Sequence, residues 1–148
     1  MTDKHALPTP LPGSQLIPSF THARVRDALH LGVITCLPDT PMEAVARIMT
    51  TNHVHAVVVA GLPGAEPWGV VTDRDVLAVA SDAPDRLAGS CVTGELITVD
   101  PDERLEVAAE LMRQRGVSHL VVVDPDRDMP VGVLSTLDIA GIVAWGRG

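Results

Sequence analysis

The sequence predicts an α/β (α+β) module made of two pseudo-symmetric repeats, each with the element order β-α-β-β-α. The second half of the chain repeats the first without a gap, and each half contains a run of valines and apolar residues at helical spacing. A unit of this size is too small to bury both faces of a sheet alone. We therefore expect the two repeats to pack together as one domain.

The internal repeat has a constant separation of 63 residues. We place the first repeat at residues 21–83 and the second at residues 84–148. Residues 1–20 are rich in proline and show no period, which predicts a flexible N-terminal tail. The matching pairs include Ile34 with Ile97, Pro38 with Pro101, Met49 with Met112, Gly69 with Gly132 and Asp75 with Asp138.

Each repeat has the same predicted elements. Thr40 to Glu43 fits a capping box in which Pro41 is the first helical residue. The valine runs lack polar alternation, which favours sheets that are covered on both faces. For the first repeat the prediction is a strand near 33–36, a helix from 41, a strand over Val54–Ala60, a strand near 69–71 and a helix after Thr72, and the second repeat follows with the same elements 63 residues later.

Composition and charge exclude several classes of protein. The net charge is −8 and the pI is about 5.0, which makes nucleic acid an unlikely partner. No apolar run reaches the roughly 20 residues of a membrane helix, and the N-terminus lacks the apolar region of a signal peptide, so we expect a cytoplasmic protein with no membrane association. Cys36 and Cys91 do not have the spacing of a metal site or a disulfide framework.

The sequence also lacks the motifs of common catalytic sites. It contains no His-Glu-x-x-His, no Gly-x-Ser-x-Gly and no P-loop. We therefore predict that the protein is not an enzyme, with no catalytic residues, no metal site and no required cofactor.

The two repeats resemble CBS domains, paired in tandem as a Bateman module, over about residues 21–146. The resemblance rests on the element order, the valine-rich middle strand and the ending Gly-hydrophobic-hydrophobic-[Ser/Thr]-x-x-Asp at Gly69–Asp75 and Gly132–Asp138. It implies a regulatory sensor that binds AMP, ADP, ATP or sometimes S-adenosylmethionine in the cleft between the repeats and acts on an effector protein, here unknown. The sequence resembles the stand-alone CBS-pair proteins. The alternative is a structural or interaction protein with vestigial ligand clefts.

The helices that close the two repeats predict a homodimer. Val76–Ala80 and Ile139–Ala144 are apolar throughout. An apolar surface of this kind usually marks an interface, and two-fold dimers are the commonest assembly. The resemblance implies dimerisation as well.

The repeated ending of each half suits a nucleotide. A carboxylate can accept hydrogen bonds from two adjacent ribose hydroxyls, and the hydroxyl and N–H groups at a helix start can meet phosphate oxygens. By the resemblance, Asp75 and Asp138 bind ribose and Thr72 and Ser135 supply the hydroxyl. Thr-x-x-Asp and Ser-x-x-Asp are also ordinary capping boxes, so both interpretations stay open.

The resemblance further implies two composite sites, each formed from both repeats. The first combines Asp75 and Thr72 with Thr98, Val117, Ser118 and His119. The second combines Asp138 and Ser135 with Thr35, Val54 and His55. In the alternative, the threonines are plain strand residues, the valines are core, and the histidines are partly buried strand residues.

The two predicted sites differ in positive charge. Arg74 lies in the first turn of its predicted helix, where it opposes the helix dipole unless an anion or an acid is nearby. Its counterpart in the second repeat is Leu137. With Arg74 and His119 as candidate phosphate contacts, we expect the Asp75 site to bind AMP or ADP more tightly than the Asp138 site.

Overall fold

The structure, a computed structural model, describes residues 17–29, 32–61, 67–92 and 96–147. It confirms the predicted fold class, with mixed three-stranded sheets and the repeated element order in both halves. In chain order the elements are α1 (Val25–Ala28), β1 (Thr35–Cys36), α2 (Met42–Asn52), β2 (Ala56–Ala60), β3 (Pro67–Thr72), α3 (Asp73–Ala78), a 3-10 segment (Ala80–Asp85), α4 (Ala88–Cys91), β4 (Thr98–Val99), α5 (Leu105–Arg115), β5 (His119–Asp124), β6 (Met129–Ser135) and α6 (Thr136–Trp145).

Each repeat forms its own sheet around a valine strand. In the first sheet β2 pairs in parallel with β1 and antiparallel with β3. In the second sheet β5 pairs in the same way with β4 and β6. Because every valine of β2 is fully buried, the prediction that the central strands are covered on both faces is confirmed for this sheet.

The two sheets meet through valines of the central strands. Side chains alternate between the faces of a strand, so Val57 and Val59 pack under the helices of their own repeat, whereas Val58 points the other way. Val58 packs in one cluster with Val121 of β5, and both are fully buried. This cluster joins the repeats into one domain.

The first helix of each repeat packs on the other repeat. Ala23, Val25 and Ala28 belong to the second core with Leu105. The bridge between Arg24 and Arg104 adds a backbone link at the same place. Residues 83/84 mark the boundary between the sequence repeats, whereas the second hydrophobic core includes α1 from the first repeat.

In the same way, α4 of the second repeat packs on the core of the first repeat. Ala88 and Cys91 of α4 lie in the first core with Met42, and Leu87 bridges Pro41. The exchange therefore follows the pseudo-symmetry of the chain, and each core contains elements from both repeats.

The prediction for the start of α2 was wrong by one residue. Pro41 is not the first helical residue, because it is extended and lies at the N-cap position. Its backbone pairing with Leu87, the residue just before α4, holds it in that conformation. The Thr40 hydroxyl accepts a hydrogen bond from the Leu37 N–H at 3.1 Å and makes no cap of α2.

Residues 17–20, which the prediction included in the tail, contact the domain. Phe20 packs against the second core. The carbonyl of Ile17 accepts a hydrogen bond from the N–H of Arg147 at 2.7 Å. Residues 1–16 lie outside the described part of the chain, so flexibility of the tail stays a prediction.

The helices within the described ranges are short compared with a membrane span. None of them is long and apolar enough to cross a bilayer.

We expect a chain that begins at Ile17 to melt like the full chain, and one that begins at Thr21 to melt at a lower temperature. The second truncation removes Phe20, whose partial burial contributes about 1–2 kcal/mol, equivalent to roughly 2–8 °C in a domain of about 150 residues. Calorimetry on the three chains measures the difference. Equal melting temperatures would contradict a stabilising role for residues 17–20.

Candidate ligand cleft between the repeats

Both Thr/Ser-x-x-Asp segments form the start of a helix. The N–H of Thr72 donates to Oδ2 of Asp75 at 2.8 Å, and its hydroxyl donates to the same oxygen at 3.2 Å. The N–H and hydroxyl of Ser135 donate to Oδ2 of Asp138 at 2.8 and 3.0 Å. The capping interpretation is therefore correct for both segments, and it leaves a binding role for either aspartate as a prediction.

A cleft of about 530 Å³ opens beside the start of α6, and we call it the Asp138 cleft. One wall is the chain around β1 and the segment that leads into β2, both from the first repeat. The other wall comes from β5, β6 and α6 of the second repeat. The lining residues are Gly32, Val33, Ile34, Asn52, His53, Val54, His55, Ala56, His119, Val133, Ser135, Leu137 and Asp138.

The cleft brings together most of one predicted composite site. Val54 and His55 of the first repeat face Ser135 and Asp138 of the second, as the prediction grouped them. Thr35 is not among the lining residues; it is exposed, and the chain just before it lines the cleft.

Sequence reasoning missed other lining residues. Asn52 and His53 stand at the end of α2, where His53 adopts a left-handed conformation with φ of 54°. This conformation turns the chain from the helix toward β2. In the 63-residue repeat His53 aligns with Gly116, which ends α5 with φ of 65°.

His119 lines the Asp138 cleft, although it was predicted for the Asp75 site. It stands opposite Ser135 in the antiparallel pair of β5 and β6. Directly paired residues of antiparallel strands project to the same face, so the ring of His119 lies on the side of Ser135. The Nδ1 of His119 is 3.0 Å from the hydroxyl of Ser118.

The remaining predicted residues of the Asp75 site lie on several elements. Thr98 pairs with Val121 in the second sheet. Val117 packs against the second core. Arg74 lies in the first turn of α3 and is exposed. The ligand-binding roles of these residues stay predictions.

Asp73 is a further charged group near the Asp138 cleft. Its Oδ2 lies 2.9 Å from Nδ1 of His55, and its N–H donates to the carbonyl of His55 at 3.0 Å. The hydrogen bond from the His55 ring lowers the pKa of Asp73. The carboxylate is therefore ionised at neutral pH. The sequence alone does not reveal the pair of Asp73 and His55, because the pair depends on the register between β2 and β3.

His119 is neutral at physiological pH. Burial lowers its pKa below the ordinary 6.5; Asp73 and Asp138 oppose that shift, and His55 adds to it. Neutral imidazole can donate or accept a hydrogen bond, but it does not neutralise an anion.

We expect the ligand-free protein to lose stability as the pH falls from 7 toward 5, in part through His119. A lowered folded-state pKa gives a contribution that is complete above 6.5 and is lost as the pH falls through the folded pKa, because the unfolded chain binds the proton first. One such proton changes the free energy of unfolding by at most about 1.4 kcal/mol per pH unit. Denaturant titrations of wild type and His119→Gln should show a shallower pH dependence in the variant. Parallel profiles would contradict the prediction.

Comparison with known proteins identifies the family. The model of the CBS domain matches residues 25–82 and 88–144. This chain belongs to the CBS domain family. Two curated relatives are an uncharacterized protein of Methanocaldococcus jannaschii, 30% identical over 129 residues, and a homoserine O-acetyltransferase of Methanohalobium evestigatum, 28% identical over 128 residues. The matches cover 84% of this chain but only 30% and 25% of those proteins, so the chain spans less than a third of their length.

Solved CBS pairs have the same fold. The CBS domain pair of protein MJ0100, in complex with 5′-methylthioadenosine and S-adenosylmethionine, has a TM-score of 0.74 at 22% identity, covering 82% of this chain and 96% of that one. A CBS domain protein of Pyrobaculum aerophilum complexed with AMP has a TM-score of 0.71 at 27% identity, covering 82% and 98%. The predicted tandem CBS pair is confirmed.

Proposed function

We propose that this CBS pair is a non-enzymatic regulatory module. It binds an adenine nucleotide between its repeats and acts on a partner protein by conformational coupling. The observation that carries the proposal is the Asp138 cleft. It places a carboxylate and a hydroxyl from one repeat opposite His55 and apolar residues from the other. Such a cleft offers polar contacts for a ribose and an apolar wall for a base.

The similarity to a solved AMP complex supports an adenine ligand. The protein of Pyrobaculum aerophilum is complexed with AMP and is 27% identical to this chain. The candidate ligands are AMP, ADP, ATP and S-adenosylmethionine, as regulatory ligands and not as required cofactors. A ligand that contacts both repeats favours one arrangement of them, which is how it can act on a partner.

One observation favours a second candidate function, a structural or interaction protein. Asp75 and Asp138 both accept hydrogen bonds from the helix starts on which they lie. Capping alone therefore accounts for an aspartate at these positions. Binding experiments with variants that preserve the cap separate the two functions.

We expect Asp138→Asn to weaken binding of adenine nucleotides with little change in the melting temperature of the free protein. The asparagine oxygen can still accept from the Ser135 N–H, whereas the charged acceptor for ribose hydroxyls is lost. A hydrogen bond to a charged group contributes about 1.5–3 kcal/mol, which corresponds to a loss of affinity of about tenfold or more. Calorimetric titration with AMP, ADP and ATP measures it.

Asp75→Asn is the matched variant for the other repeat. A loss of affinity in either variant supports nucleotide binding through these carboxylates. If wild type binds and neither variant loses affinity, the aspartates only cap helices. If wild type binds none of the nucleotides, the interaction protein is the better account.

A homodimer is the second part of the proposal. Leu77 in α3 and Val143 in α6 are 76% and 64% exposed in the single chain. Within α6 only Ile142 is buried. Exposed apolar surface of this kind is typical of an interface.

We expect light scattering to give twice the chain mass of 15.6 kDa, and Val143→Glu to give a monomer. The carboxylate would be desolvated in the interface, which is unfavourable without a partner charge. Val107→Glu is the control, because Val107 is also exposed and lies on a different helix, α5. A wild-type monomer at all concentrations would contradict the dimer.

A further inference from the structure

We propose that the Asp138 cleft takes an adenosine derivative with an uncharged or cationic 5′ substituent, such as a thioether or a sulfonium, and discriminates against nucleoside di- and triphosphates. The inference rests on the proposed function and narrows its ligand to one charge class.

The composition of the cleft lining disfavours phosphate groups. No residue in the described lining of the cleft is a lysine or an arginine. Proteins bind phosphate groups mainly through these two side chains and through backbone N–H groups. The lining includes one acid, Asp138, and the chain as a whole has a net charge of −8.

The two histidines His55 and His119 add no net positive charge to the cleft at physiological pH. The ring of His55 lies 2.9 Å from the Asp73 carboxylate, so this pair has no net positive charge even when the ring is protonated. Burial lowers the pKa of His119, which leaves its ring neutral at physiological pH. Neither group compensates a phosphate dianion at that pH.

Backbone N–H groups at the start of α6 also lie beside the cleft. Helix N-termini bind phosphate through their first N–H groups. Here the N–H of Ser135 donates to Oδ2 of Asp138 at 2.8 Å, and the N–H of Asp138 donates to the Ser135 hydroxyl at 3.2 Å. The N–H of Thr136 donates to the carbonyl of Ser118 at 3.1 Å. These donors are engaged within the protein.

The repeat itself supplies a matched comparison. Leu137 lines the cleft and is 71% exposed. Its counterpart 63 residues earlier is Arg74, in the first turn of α3. Leu137→Arg therefore places at this cleft a cation that the other repeat has at the same position.

The binding test must report on this cleft alone. The imidazole signals of His53 and His55 serve as reporters, because both line the cleft and their counterparts in the second repeat are Gly116 and Ser118. The full chain is titrated by NMR at about pH 7.5, one unit above the ordinary histidine pKa. The ligands are 5′-methylthioadenosine, S-adenosylmethionine, AMP, ADP and ATP.

We expect the two sulfur compounds to bind at these reporters at least about tenfold more tightly than ADP and ATP. A tenfold difference in affinity is about 1.4 kcal/mol, which is the size of the repulsion between two like charges a few ångströms apart. AMP should lie between them. If ADP or ATP binds as tightly as the sulfur compounds or more tightly, the inference is overturned and the proposed function stands. If no ligand shifts the reporters, both are wrong for this cleft.

The variant test isolates charge as the cause. Leu137→Arg should raise the affinity for ADP and ATP relative to that for 5′-methylthioadenosine by about tenfold. Leu137→Gln, a neutral polar change at the same position, and Val107→Arg, the same charge on α5, should produce no gain. An unchanged affinity for ADP and ATP in Leu137→Arg would overturn the charge explanation.

Discussion

The contact between the two central strands determines how the rest of the molecule is arranged. Val58 and Val121 are fully buried against each other's sheets, and their alternation with Val57, Val59, Leu120 and Val122 leaves the opposite faces for the helices. Because the strands meet face to face, their entrances and the starts of α3 and α6 come together near the middle of the domain. The cleft lies where these elements meet, so side chains from both repeats line it.

The fold could be predicted well from the sequence because its signals are local and occur twice. Valine runs, helical spacing and the turn after each long helix appear in both halves, and each copy supports the other. Placement of α1 and α4 could not be predicted. These four-residue helices have too little pattern to indicate which core they join, and only tertiary packing decides it. The extended conformation of Pro41 is a consequence of the same packing.

The candidate site was predicted in part, for a related reason. The grouping of Ser135 and Asp138 with Val54 and His55 followed from a resemblance, and the cleft does contain all four. The position of His119 depended on the register between β5 and β6, which the sequence does not specify. Charge could be judged by residue type but not by environment: the bond from His55 to Asp73 and the burial of His119 are properties of the folded chain.

Because α1 and α4 each pack on the core of the other repeat, the two repeats of this chain are not independent structural units. In solenoid arrays each unit contacts only its neighbours, and stability is close to a sum of unit and interface terms. Here neither half has a complete core of its own, since Val25 completes the second and Ala88 the first. The two halves should therefore unfold in one cooperative transition. A ligand that contacted one side of the cleft would therefore affect the packing of both cores.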